Sequence, residues 1–173
     1  NIPGAVAACR NADAIVLVVG DVYAQYGETK DRADLALSGQ QMELYQQLRA
    51  LGIPLVTVLL SSKPLAIPEI AHSTDALLCA FNGGMFGGQA VAEAIFGRLN
   101  PSGRLPISFP HHSGQVPVYY NHLPGWHWGH YSDLPAEPLF TFGEGIGYAP
   151  FVYRDLTVDA DSLTLSVKVR NAG

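Results

Sequence analysis

The chain has 173 residues, of which 48% are hydrophobic, and a net charge of −5 at pH 7, a composition typical of a folded domain with a buried core. Ten Lys and Arg residues stand against fifteen Asp and Glu residues, and the absence of a basic cluster excludes nucleic-acid binding. No apolar run reaches the roughly 20 residues that cross a bilayer, so we expect a soluble protein without a membrane partner. The compartment, whether bacterial cytoplasm, periplasm or secreted, stays open.

Alternating helix and strand patterns fill the first part of the chain. Ser38 is predicted to cap the second helix, with Gln41 reaching back to complete a capping box. Continuous apolar runs are typical of strands buried on both faces, and the order of elements predicts an α/β fold, a three-layer α/β/α sandwich with a mostly parallel sheet. The predicted elements are helix 5–12, strand 14–19, helix 38–51, strand 54–60, strand 75–81 and helix 88–99.

Three loops are predicted to meet outside the carboxyl ends of these strands, where open parallel sheets bind their ligands. They are the loops 20–37, 61–64 and 82–87. The first is long, because about 2–6 residues is usual for such a connection, and unusual length is more often functional than structural. Each charged residue in it, taken alone, is more typical of a solvated loop. The glycines of the third loop form no nucleotide-binding fingerprint.

The remainder of the chain is less regular. Residues 111–150 are rich in histidine and aromatic residues, but the spacing of His127 and His130 is weak evidence for a metal site, and we expect no metal or cofactor. Alternating apolar and polar residues over 163–170 predict a half-buried strand in a C-terminal β segment. Cys9 and Cys79 are expected to be buried free thiols, with a disulfide as the less favoured alternative.

Three motifs occur in the order of one known family: Gly87–Ile95, Phe96–Pro110 and Pro138–Tyr148. Together they resemble the C-terminal region of glycoside hydrolase family 3, which contains β-glucosidases, β-xylosidases and related exo-acting enzymes. The absence of an initiator Met favours a fragment or processed product. The resemblance implies an α/β sandwich domain over 1–110, an aromatic-rich linker and closing segment over 111–150, and the first strands of a truncated fibronectin-type-III-like domain over 151–173.

The resemblance also implies a general acid/base. Many family members carry this Glu in a loop of the same domain, followed closely by an Asp-Arg pair, and the run Glu28–Arg32 fits that pattern. Glu28 is therefore the catalytic candidate, and Asp21, directly at the strand end, is the alternative. Hydrolysis with retention needs two carboxyl groups about 5–5.5 Å apart, one as nucleophile and one as acid and then base.

Four further residues are candidates for substrate contact or support. Arg32 and Asp34 match family positions and are expected to brace the loop, with sugar contact as the alternative. Trp126 and Trp128 lie in the aromatic-rich segment, which in the family can border the substrate entrance. Their rings could stack on the apolar face of a sugar, and packing of the linker is the alternative.

The family's nucleophilic Asp and its sugar-holding Lys-His pair belong to an N-terminal (β/α)8 barrel, a domain of roughly 250 residues for which this chain has no segment. The implied function is the acid/base-bearing C-terminal domain of a retaining exo-β-glycosidase that removes terminal β-linked sugars from oligosaccharides or glycosides. The barrel domain is the implied partner, and the isolated chain is expected to be inactive. A non-catalytic carbohydrate-binding or interaction module is the alternative. An independent Ser-His-Asp hydrolase is disfavoured because the Gly-x-Ser-x-Gly elbow is missing.

Overall fold

The structure is a computed structural model that describes residues 1–123 and 125–173, without the side chains of Trp126 and His127. Three parallel strands form a sheet in the order β1-β2-β3. The predicted α/β fold with a parallel sheet and a C-terminal β segment is confirmed. The strands of the sheet are β1 (Ile15–Gly20), β2 (Leu55–Leu60) and β3 (Ala76–Cys79), and the helices are α1 (Ile2–Cys9), α2 (Gln41–Arg49), α3 (Pro68–Ser73) and α4 (Gly87–Ile95).

One face of the sheet forms the core. Alternate residues of β1 point to the same side, and those on the core side pair with buried residues of β2, as Leu17 does with Thr57. Helix α2 adds Tyr45 and Leu48 to this cluster, and α3 adds Ile70. The carboxyl ends of the strands, and the loops that follow them, therefore start from a buried and well-packed sheet.

The opposite face of β1 departs from expectation. Val16 is 49% exposed and Val18 is 54% exposed, whereas the continuous apolar run predicts burial on both faces. The run was misleading because it records apolar side chains and not the element that would cover them. The same face is covered one strand further in, because Val58 of β2, which pairs with Val18, is only 1% exposed.

The predicted capping box is wrong. Helix α2 begins at Gln41, after Gln40, whose side chain makes no capping bond. The Gln41 carboxamide instead accepts a hydrogen bond from Gly20 N at 2.7 Å and donates to Gly20 O at 2.8 Å. It also donates to Ser38 O at 3.0 Å. Gln41 thus bonds both main-chain groups of the last residue of β1, as a neighbouring strand would.

The segment after residue 110 folds back onto the core. Phe109 N donates to Phe140 O at 2.9 Å, and Leu139 N donates to Phe109 O at 2.8 Å. The buried Gln115 amide donates to the carbonyl oxygens of three successive residues, Pro135 to Glu137. These bonds fix the segment 111–115 beside the long loop that follows β1.

The last residues form a separate antiparallel pair, β4 (Phe151–Asp159) and β5 (Thr164–Asn171). The predicted strand over 163–170 is confirmed, but every residue of β5 is exposed, so neither face of it is half-buried within the described chain. The three-unit division and the fibronectin-type-III-like assignment stay predictions. Cys9 and Cys79 are free thiols, but both are half-buried where burial was expected. Among the described residues, no helix is long and apolar enough to cross a membrane.

Candidate functional site

A buried carboxylate joins the ends of β1 and β2. Asp21 directly follows β1, and its side chain is 0% exposed. One carboxylate oxygen accepts from Ser61 Oγ at 2.9 Å and from Ser62 N and Oγ at 3.2 Å each. The other accepts from Arg32 Nη1 at 2.9 Å, and the Arg32 side chain is only 14% exposed. We call Asp21, Arg32, Ser61 and Ser62 the Asp21 network.

The loop after β1 is anchored at further points. The Tyr26 hydroxyl donates to Asp21 O at 3.3 Å, and Lys63 Nζ donates to Gln25 O at 2.8 Å. Burial, and then the nearby charge of Asp21, raise the pKa of the Tyr26 hydroxyl, so it stays a donor at neutral pH. Arg32 Nη2 donates to Ala36 O. The loop is therefore anchored on both of its arms, which are the residues before Glu28 and the residues after it.

Glu28 lies between these anchors. It is exposed, and across residues 1–123 and 125–173 its carboxylate has no hydrogen-bond or ion-pair partner. Gly27 has φ 101° and Thr29 has φ 63°. The left-handed region is unusual for a β-branched residue, and such strain clusters at functional sites. An unpaired carboxylate on a fixed, strained turn is suited to meet a ligand.

The two candidates for the acid/base role differ in access. Both oxygens of Asp21 are occupied and the side chain is sealed from solvent, whereas a general acid must reach the group it protonates. Glu28 is open on the same edge of the sheet. The geometry leaves Glu28 accessible to a ligand and gives Asp21 a bracing position.

Asp34 lies on the far arm of the loop. Its Oδ1 accepts from Ala36 N at 2.9 Å and from Ser113 Oγ at 3.2 Å, while Ser113 Oγ accepts from Leu35 N at 2.8 Å. The Ala36 N–H, with help from Ser113, holds the pKa of Asp34 below its usual value. Arg32 and Asp34 thus brace the loop in this structure, and sugar contact by either residue stays a prediction.

The aromatic candidates are not brought to the loop by any contact described. Trp128 is 89% exposed and has φ 51°, and it belongs to the turn Trp126–Gly129. The Trp126 side chain lies outside the described residues. In the described part of the chain, no group of three or more His, Cys, Asp or Glu residues could hold a metal ion.

The loops after β1 and β2 meet as predicted, but the side chains that bond Asp21 and Gln25 were not predicted. Ser61, Ser62 and Lys63 follow β2, about forty residues away in sequence, at the sheet edge where ligands bind. A run of polar residues at the carboxyl end of a strand was the one signal that could have indicated them. Nothing in that run distinguishes a structural partner from a solvated turn.

Comparison with known proteins gives concordant results. The model of the glycosyl hydrolase family 3 C-terminal domain matches residues 1–148. A β-xylosidase of Formosa agariphila is 43% identical over 99% of this chain and 25% of its own length. A periplasmic β-glucosidase of Salmonella typhimurium is 38% identical, also over 99% of this chain and 25% of its own length. The chain thus spans about a quarter of the length of these curated relatives.

Solved structures agree with these relatives. A β-glucosidase involved in saponin metabolism, from intestinal bacteria, is 46% identical and superposes with a TM-score of 0.84 over 92% of this chain and 23% of its own chain. The β-glucosidase of Listeria innocua, in complex with glucose, is 36% identical with a TM-score of 0.82, over 90% of this chain and 23% of its own.

Proposed function

The chain belongs to glycoside hydrolase family 3 as its C-terminal domain, and on this premise we propose that Glu28 is the general acid/base of a retaining exo-β-glycosidase. The observation that carries the proposal is the exposed, unpaired Glu28 carboxylate on a strained turn that is anchored on both arms. The match of the run Glu28–Arg32 to the family pattern supports the same choice.

The mechanism assigns Glu28 two proton transfers. As an acid it protonates the glycosidic oxygen while an Asp nucleophile attacks the anomeric carbon, and the aglycone leaves. As a carboxylate it then takes a proton from the water that hydrolyses the glycosyl-enzyme bond.

We further infer that the nucleophile comes from an N-terminal barrel domain that covers this edge of the sheet. Apolar side chains stand out on two of the loops there: Tyr23 is 94% exposed and Phe86 is 71% exposed. Large exposed apolar groups mark surfaces that another element covers. Coverage would also exclude water from around Glu28 and complete the carboxyl pair. Terminal β-glucosides and β-xylosides are the proposed substrates.

The test is Glu28→Gln in the complete enzyme that carries this domain, assayed on β-glucosides and β-xylosides. Loss of the acid should lower kcat/KM by about 100-fold or more on substrates with poor leaving groups, and much less on activated nitrophenyl glycosides, which leave without protonation. Azide should restore turnover of the activated substrate, because an anionic nucleophile does not need the base in the second step.

Asp31→Asn is the matched control, because Asp31 is an exposed carboxylate on the same loop and should keep near-normal activity. Equal losses of Glu28→Gln on both substrate classes would argue against the acid role. Unchanged hydrolysis together with altered sugar affinity would instead favour a binding module.

A further inference from the structure

Asp21 carries a buried charge that a gain in stability does not readily explain. A buried ion pair is weak evidence for stability, because desolvation offsets much of the attraction between the charges. Here the pair between Asp21 and Arg32 lies at the base of the loop that carries Glu28. We propose that Asp21 is a positioning residue that fixes Glu28 for proton transfer, an inference that rests on the proposed role of Glu28.

The network controls the arm that follows Glu28. Arg32 lies four residues after Glu28, and its planar guanidinium bonds Asp21 with one nitrogen and Ala36 O with the other. Two bonds from one rigid plane fix its direction as well as its place. The second oxygen of Asp21 is held by Ser61 and Ser62, so this arm is tied to the ends of both β1 and β2.

The arm that precedes Glu28 is tied to the same place. The Tyr26 hydroxyl bonds the main-chain oxygen of Asp21, and Lys63, next to the network serines, bonds Gln25 O. Residues 27–31 span the interval between the two anchored arms. Because the Glu28 carboxylate makes no contact of its own in the described chain, these anchors set its position.

Proton transfer is sensitive to such positioning. A general acid must come within about 2.6–3.2 Å of the atom it protonates, and a misplacement of about 1 Å can cost about 100-fold in rate. Loosening the network should therefore slow both proton transfers of Glu28. In kcat/KM, which reports the first of them, the loss should fall on substrates whose leaving group needs the acid.

The experiment uses Asp21→Asn in the complete enzyme. The amide keeps the size of the carboxylate but removes its charge and faces at least one donor with another donor. We expect kcat/KM on poor-leaving-group substrates to fall about 10–100-fold, with kcat/KM on the activated substrate changed by less than about threefold. Asp75→Asn is the control, because Asp75 also holds an arginine at 2.9 Å and a main-chain N–H at 2.8 Å but precedes β3, away from the loop. It should show no dependence on the leaving group.

A double variant separates the two proposals. If Asp21 acts through Glu28, adding Asp21→Asn to Glu28→Gln should cause no further loss on the poor-leaving-group substrate. Full activity of Glu28→Gln would overturn the proposed function itself. If Glu28→Gln has a strong effect but the Asp21→Asn loss is equal on both substrates, the positioning role of Asp21 would be overturned and the role of Glu28 would stand. The same holds if the losses of the two single variants multiply in the double variant.

A milder variant covers the case in which Asp21→Asn does not fold. Tyr26→Phe removes only the bond to Asp21 O and should give the same dependence on leaving group at about two- to fivefold. An unchanged ratio of the two substrates in Tyr26→Phe would then count against the proposal.

Discussion

Replacing Gln41 by Met should destabilise the chain well beyond an ordinary surface substitution on a helix. The carboxamide makes bonds of 2.7 and 2.8 Å to Gly20 and one of 3.0 Å to Ser38 O. Each such bond contributes about 0.5–1.5 kcal/mol net. Three bonds give about 3 kcal/mol, and since water can reach part of this site, we expect a loss of about 2 kcal/mol. Met is similar in length and in helix propensity, so the loss reports the bonds.

The matched control is Gln47→Met on the same helix. The Gln47 amide bonds only the exposed Glu43 carboxylate, at 3.3 Å, a pair worth about 0.2–0.5 kcal/mol. Thermal and urea unfolding followed by circular dichroism would measure both variants. A loss of 2 kcal/mol lowers the Tm by about 4–8 °C in a domain of this size. Equal shifts in the two variants would refute the assignment of Gln41 as a substitute strand.

Two further changes test the base of the loop and the pH response. Gly20→Ala should lower the free energy of unfolding by at least about 3 kcal/mol and prevent soluble folding. The reason is that Gly20 has φ +147° and an added Cβ would lie 1.7 Å from Leu60 O. The control Gly39→Ala, at φ +64° with open space around it, should cost about 1–2 kcal/mol. Similar yields of the two variants would contradict this. Burial, and then the neighbouring His72, lower the pKa of His111, so the folded state resists protonation of this side chain. The contribution of neutral His111 to stability is therefore present above the unfolded pKa of about 6.5 and is lost as the pH falls below that value. His111→Phe should therefore narrow the difference in urea midpoint between about pH 7.5 and about pH 5.5, and an unchanged difference would exclude His111 as the cause.

The sequence predicted the three strands of the sheet to within one or two residues, because apolar runs bounded by Gly and Pro are strong signals. Helix α3 (Pro68–Ser73) was missed because it is short and has no apolar period of its own. The start of α2 was misplaced because the partner of Gln41 is Gly20, which no local pattern reveals.

The candidate site was likewise predicted only in part. Glu28 was selected through a family motif and not through any physical signal in the loop. Its surroundings depend on Ser61, Ser62 and Lys63, which reach Asp21 and Gln25 only because β1 and β2 pair in parallel register. Such contacts follow from the topology, and a single sequence does not place them.

The carboxamide of Gln41 also limits how this sheet can grow. Residues of β1 alternate in the side to which their main chain bonds, so Val16 and Val18 share the outward direction of Gly20. Gly20 is already occupied by Gln41. In the described part of the chain, a strand approaching this edge would therefore meet a blocked Gly20 and could pair only along Val16 and Val18. Gln41 thus shortens the stretch of β1 along which another strand could add to the sheet.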